Sequence, residues 1–265
     1  MTSNRPAGWR PRMLALDVDG TLVDHDNVMS PAVREAVLAM HATGVEVVIS
    51  TGRAVPGVLN TAEKLGLDGY AIASNGALVL AHSPVEILHS VTFDASEAVH
   101  RIIEHIPEAL VAVEEIGVGY RVSQPFPSGE INGTMTVQTI EELVAEPVTR
   151  VVIRAPERDA DDFHRLVADL GLHDTNYYVG YTAWLDIAPD GVSKASGLEV
   201  LCKHLDIEAA DVLAIGDGNN DVEMLVWAGR GVAMGQAPES LKVAADAITG
   251  RVEEDGVVTE LQRYL

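Results

Sequence analysis

The sequence predicts an α/β fold, a doubly wound parallel sheet with an α+β domain inserted into it, on three observations. Strand-like apolar runs alternate with helix-like segments in both the first and last thirds of the chain, the rhythm of a parallel sheet covered on both faces. Two of those runs, Leu14–Leu16 and Val212–Ile215, lead into aspartates and glycines, so chemistry gathers at strand ends, where such sheets bind ligands. Between Asn75 and about Asp186 these motifs stop although the patterning continues, which is too much structure for a loop.

The elements follow in order. Met1–Arg12 has arginines and prolines without an apolar core, so it reads as a frayed tail and not as a signal peptide. The strand at Leu14–Leu16 passes into Asp17-Val18-Asp19-Gly20-Thr21, and Asp24-His25-Asp26-Asn27 reads as a polar loop. Ser30 caps a helix with Pro31 at its first position, and Gly44 ends it. A strand over Val45–Ser50, a helix over about Val55–Leu65 and a strand over Tyr70–Ser74 complete the first half of the core. In the insert, Asp94–Glu97 and Thr139–Glu142 fit helix starts, and strands are predicted at Leu110–Val113, Val118–Val122, Val148–Ile153 and Tyr177–Tyr181. The core then resumes with a helix after Lys194, the Val212–Ile215 strand, a helix after Asn220, a strand over Gly231–Met234 and a helix begun by Pro238. This divides the chain into a tail at 1–12, a core of 13–81 with 187–265, and an insert at 82–186.

Composition narrows the function. A formal net charge of -22 on 265 residues repels nucleic acid and anionic membranes, and no stretch is apolar enough to span a bilayer, so a cytoplasmic location is the default. Cys202 is the only cysteine, which excludes an intrachain disulfide, and its apolar surroundings suit a small core residue. The nine histidines lack metal-site spacing, and His100, His105 and His164 fall in helix-like segments where a solvated face is the simpler account.

Four segments carry chemistry. An Asp-x-Asp by itself could be a turn, a calcium-loop fragment or a solvated loop. Here it stands with Ser50-Thr51-Gly52-Arg53, hydroxyls and a cation suited to phosphate, with Gly191-Val192-Ser193-Lys194, and with Gly216-Asp217-Gly218-Asn219-Asn220-Asp221. Right-handed crossovers bring Asp17, Thr51, Lys194 and Asp217 to one sheet edge.

Together these segments resemble the four motifs of the haloacid-dehalogenase-like (HAD) hydrolases. The large insert between the second and third, with Ala73-Ser74-Asn75-Gly76-Ala77 before it, resembles the Cof-type, class IIB members. The resemblance implies a Rossmann-like core, an inserted cap that selects substrate, and a Mg²⁺-dependent phosphatase acting through an aspartyl-phosphate. On it, Asp17 is the nucleophile and Asp19 the acid and base for leaving group and water. Mg²⁺ falls to Asp17, the Asp19 carbonyl and Asp217, with Asp221 orienting a metal-bound water. Lys194 offsets the carboxylates, and Thr51, Gly52 and Asn220 hold the phosphoryl group. Arg53 serves either substrate or a cap carboxylate, and Asn75 either substrate or a turn with Gly76. Ala195 stands where many relatives carry glycine, which implies a local packing change.

The expected partner is a small phosphomonoester, a sugar phosphate by preference, with no nucleic acid and no membrane, the protein being a monomer or weak homo-oligomer. In the cap Arg121, Arg150, Arg154 and Arg158 are candidate contacts. The alternatives are a sugar phosphomutase, and a non-catalytic phosphoryl-accepting or binding protein.

Overall fold

The computed structural model describes residues 8–170, 175–179 and 182–265, which form two compact units. The first holds the described residues up to Gly52, with Val58–His89 and Ser193–Leu265. Its eight-stranded sheet runs, edge to edge, Ala247–Ile248, Arg230–Ala233, Val212–Gly216, Met13–Leu16, Glu46–Ser50, Tyr70–Ala73, Leu78–His82 and Val85–Ser90. The first six are mutually parallel, and Leu78–His82 turns antiparallel to Tyr70–Ala73.

Met13–Leu16 is the pivot of this sheet. Leu16 pairs with Ile215 on one side and with Ile49 on the other, so the chain winds outward in both directions from this strand. The reversal of strand order opens a crevice at the carboxyl ends. The shared register brings Asp17, Ser50 and Gly216 level with one another, one residue beyond those pairs. All four residues of Met13–Leu16 are buried, as a strand covered on both faces requires.

Two helices show how local sequence sets the framework. Pro31–Ala42 starts where the Ser30 hydroxyl accepts from the Val33 amide at 3.1 Å, and the chain leaves it through Gly44 at φ +89°. Lys194–Leu205 begins with a reciprocal cap: the Ser193 amide donates to the Ser196 hydroxyl at 2.9 Å, and the Ser196 amide to the Ser193 hydroxyl at 3.3 Å. Its buried side carries Leu198, Leu201 and Cys202 against the sheet, with Cys202 Sγ 3.8 Å from Met13 Sδ.

The second unit comprises Arg53–Gly57 and Ser90–Val192. Its sheet runs Thr175–Val179, Trp184–Pro189, Val151–Arg154, Leu110–Glu115, Gly119–Val122 and Thr134–Val137. The helices Ser96–His105 and Ala160–Leu170 bury Val99, Ile102, Phe163 and Val167 in one core with the sheet residues Val111, Val113, Ile153 and Leu185. The helix start expected at Thr139 is a complete capping box, although only the turn Ile140–Leu143 follows. At Asp94 only half forms: its carboxylate accepts from the Ser96 amide at 2.9 Å, while Glu97 turns instead to Arg101, also at 2.9 Å.

Several expectations are amended. Residues 9–12 are not frayed: Trp9 Nε1 donates to the Ala210 carbonyl at 3.0 Å, its ring lies edge-on to Tyr264 at 5.8 Å, and the Arg12 amide bonds the Asp211 carbonyl at 2.8 Å. The rest of the expected tail, residues 1–7, lies outside the described residues, as do residues 180 and 181 of the Tyr177–Tyr181 strand and the side chain of His164. Ser83–Pro84 is the turn of a hairpin belonging to the first unit, so the division between units falls after His89 and after Val192 and not at 82 and 186. His100 and His105 are exposed, each with Nδ1 on the carbonyl four residues back.

Candidate active site

The site is built from four strand ends of the first unit and the start of the Lys194–Leu205 helix. At Asp17 the amide still bonds the Ile215 carbonyl at 3.0 Å, and the chain then curls so that the amides of Thr21, Leu22 and Val23 all point at the Val18 carbonyl. Gly20, at φ +76°, makes that curl; a Cβ there would fall 2.1 Å from Asp217 Oδ2. The turn therefore lies directly on the Asp217 carboxylate. Asp17 is buried, whereas Asp19 is exposed at the mouth, its backbone bridged to Val23.

Asp221 closes the loop after Val212–Gly216. One of its oxygens accepts from the Asp217 amide at 3.0 Å and the Gly218 amide at 2.9 Å. The other accepts from Lys194 Nζ at 2.6 Å. Lys194, the first residue of its helix, also donates to Asp17 Oδ1 at 2.7 Å, and its ammonium is fully buried. Burial by itself would lower the lysine's pKa, but Asp17 and Asp221 more than reverse this and raise it.

One ammonium does not neutralise the cluster. Carboxylate oxygens of Asp17, Asp217 and Asp221 all lie within 4.8 Å of one another, leaving two formal negative charges beside Lys194. Burial, then the nearby Asp221, pushes Asp17 well above the usual carboxylate range and Asp217 up to about 7. A hard, all-oxygen donor set with an excess of two negative charges fits a small divalent cation.

Beside it runs a second polar group. The Thr51 amide bonds the Ile72 carbonyl at 2.8 Å and the Thr51 carbonyl accepts from the Asn75 amide at 3.1 Å, so this buried residue is pinned between neighbouring strand ends. Asn75, at φ +54°, both shapes the Ser74–Gly76 turn and accepts from Asn220 Nδ2 at 2.9 Å through its side chain. A Cβ on Gly52 would meet the side-chain Oδ1 of Asn75 at 3.0 Å. Thr51, Gly52, Asn75 and Asn220 thus form one continuous network. Arg53 belongs to the second unit, its aliphatic stem against Gly57.

Some residues turned out otherwise, or went unnoticed. Within the second unit Arg150 is buried, bonded to Asp186 at 2.7 Å and to the Tyr120 hydroxyl at 2.6 Å. Arg154 grips Glu130 with two nitrogens at 2.9 and 3.1 Å, Arg158 meets Glu108 at 2.5 Å, and Arg121 reaches the Glu142 carbonyl at 3.5 Å. Missed altogether was Gln236, whose Nε2 donates to Asp217 Oδ2 at 3.2 Å and to the Gly20 carbonyl. Its signal was its place just after the Arg230–Ala233 strand, on the same sheet edge.

Comparison with known proteins gives a consistent result. A family model of haloacid dehalogenase-like hydrolases matches residues 14–261. The 5-amino-6-(5-phospho-D-ribitylamino)uracil phosphatase YitU of Bacillus subtilis is 28% identical over 272 residues, 96% of this chain and 98% of that protein. A phosphoglycolate phosphatase of Natronomonas pharaonis is 30% identical over 255 residues, 94% and 96% of the two chains. A solved HAD subclass IIB sugar phosphatase superposes with a TM-score of 0.82 at 25% identity, over 95% of this chain and 98% of its own.

Proposed function

The chain belongs to the haloacid dehalogenase-like hydrolase family and is a phosphatase, and within that family we propose that it hydrolyses a small phosphomonoester, preferably a sugar phosphate, through an aspartyl-phosphate on Asp17. The observation that carries this reading is the buried Lys194 held between Asp17 at 2.7 Å and Asp221 at 2.6 Å. Lys194 ties down one Asp17 oxygen and aims the other, so the nucleophile is oriented before substrate arrives. The free oxygen attacks phosphorus, the ester P–O bond breaks, and the departing alkoxide takes the proton of Asp19. Asp19 then accepts a proton from the water that attacks the aspartyl-phosphate, releasing phosphate and restoring the Asp17 carboxylate.

Asp17, Asp217 and the Asp19 carbonyl would hold Mg²⁺, with Asp221 supporting them from behind through the Asp217 amide. Bound there, Mg²⁺ supplies positive charge against the phosphoryl oxygens. The Thr51 hydroxyl, the neighbouring amides and Asn220 take the remaining oxygens as hydrogen-bond donors. The sugar-phosphate preference is supported by the likeness to the subclass IIB sugar phosphatase. Asn75 is assigned to substrate contact through the network it shares with Asn220.

The test is phosphate release from a panel of sugar phosphates, phosphoglycolate, nucleotides, and flavin and pyridoxal phosphates, with Mg²⁺ and with chelator. Metal-dependent release that Asp17→Asn abolishes is the expected result. No release from any ester would overturn the hydrolase reading, and an isomeric ester in place of free phosphate would make the protein a mutase.

A further inference from the structure

We propose that Gln236 is a positioning residue that presets Asp217 for the divalent cation by clasping three separate chain segments. The proposal rests on the reading of Asp217 as a cation ligand. Gln236 follows the Arg230–Ala233 strand and is half-buried. Its Oε1 accepts from the Val252 amide at 3.0 Å, and its Nε2 donates to the Gly20 carbonyl and to Asp217 Oδ2 at 3.2 Å.

The orientation of this amide is chemically forced. A backbone N–H can only donate and a backbone carbonyl can only accept, so Val252 draws Oε1 and Gly20 draws Nε2. The Asp217 carboxylate then always faces an N–H. Because the donor is neutral, it orients Asp217 without adding a positive charge that would compete with the cation, as a lysine or arginine at this position would. The clasp also explains why the Gly20 turn lies so close: a Cβ on Gly20 would sit 2.1 Å from the oxygen that Gln236 holds. Glycine and glutamine together hold the Asp217 carboxylate from two sides. Partners behind a metal ligand typically change metal affinity by about 10 to 100-fold when removed.

The experiment is calorimetric titration of the metal-free full chain with Mn²⁺, for wild type, Asp217→Asn, Gln236→Met and Val252→Pro. Gln236→Met keeps the length of the side chain and removes both its donors and its acceptor. Its Kd for Mn²⁺ is expected to rise by about tenfold or more. Val252→Pro deletes only the N–H that orients the amide. It falls at the first position of the Val252–Glu254 turn, after an extended Arg251 at φ -74° and ψ 165°, where proline is tolerated. It is expected to weaken Mn²⁺ binding in the same direction as Gln236→Met and by less, since the donor to Asp217 stays in place. If Gln236→Met does not fold, as judged by its melting curve in chelator, Val252→Pro decides alone, and unchanged binding there overturns the proposal. A Gln236→Met Kd within about twofold of wild type overturns it as well. Wild type that binds no Mn²⁺ would instead overturn the reading of Asp217 as a ligand, and Asp217→Asn binding as tightly as wild type would do the same.

Discussion

Lys194 is buried without solvent, and its ammonium rests on two carboxylates at 2.7 and 2.6 Å. Removing it leaves Asp17 and Asp221 as uncompensated buried charges, so Lys194→Met should lower unfolding free energy by about 3–5 kcal/mol. Urea denaturation in chelator measures this. Asp17→Asn acts in the opposite direction on stability, because Asp17 is pushed well above its usual range by burial and then by Asp221. We expect kcat to fall by about a thousandfold or more while the melting temperature holds or rises, read from phosphate release and thermal melts of one preparation. The same strain gives a pH dependence. Asp17 and Asp217 have raised folded-state values, Asp217 up to about 7, so between about pH 4 and pH 7 the folded state binds more protons than the unfolded chain. Metal-free protein should lose stability as pH rises through that window. Excess Mg²⁺ should cancel the loss, which melting curves in chelator and in Mg²⁺ would show.

At the scale of elements, the helix Lys194–Leu205 matters because its first residue is the buried lysine. Its start is set by the reciprocal Ser193–Ser196 cap and by the Ser74–Gly76 turn packed beside it. Gly76 sits at φ +106°, and a Cβ there would lie 2.0 Å from the Ser193 carbonyl, which is backbone and cannot move aside cheaply. Gly76→Ala should therefore cost more than the 1 kcal/mol or so of an ordinary glycine replacement. Because the displaced carbonyl adjoins Lys194, it should lower kcat too. Ser193→Ala, which removes only the cap hydroxyl, should cost about 1 kcal/mol. Melting temperatures rank the two, and a Gly76→Ala protein as stable as Ser193→Ala would refute the packing argument.

At the scale of the whole molecule, a net charge of -22 makes self-repulsion the dominant long-range term. Raising salt to about 0.15 M shortens the screening length to about 8 Å, and the melting temperature should rise with it; a melt series in NaCl checks this. Among the described residues no helix is long and apolar enough to cross a membrane. Much of the fold was legible because it is local: an apolar run of period one or two, a capping serine and a glycine stop need only their neighbours, and these placed Met13–Leu16, Pro31–Ala42 and Val212–Gly216. The Leu78–His82 and Val85–Ser90 hairpin escaped because only cross-strand pairing assigns it to the first unit's sheet. Trp9 and Arg12 escaped because their partners lie some two hundred residues away. The sequence by itself determined the kinds of side chain at each strand end, and so the class of chemistry. Only the tertiary structure decided that Asp221 spends both oxygens on Lys194 and two amides, that Asn75 joins Asn220, and that Gln236 clasps Asp217. Those assignments depend on hydrogen-bond geometry between distant segments, which parallel register and loop packing settle and no local pattern encodes.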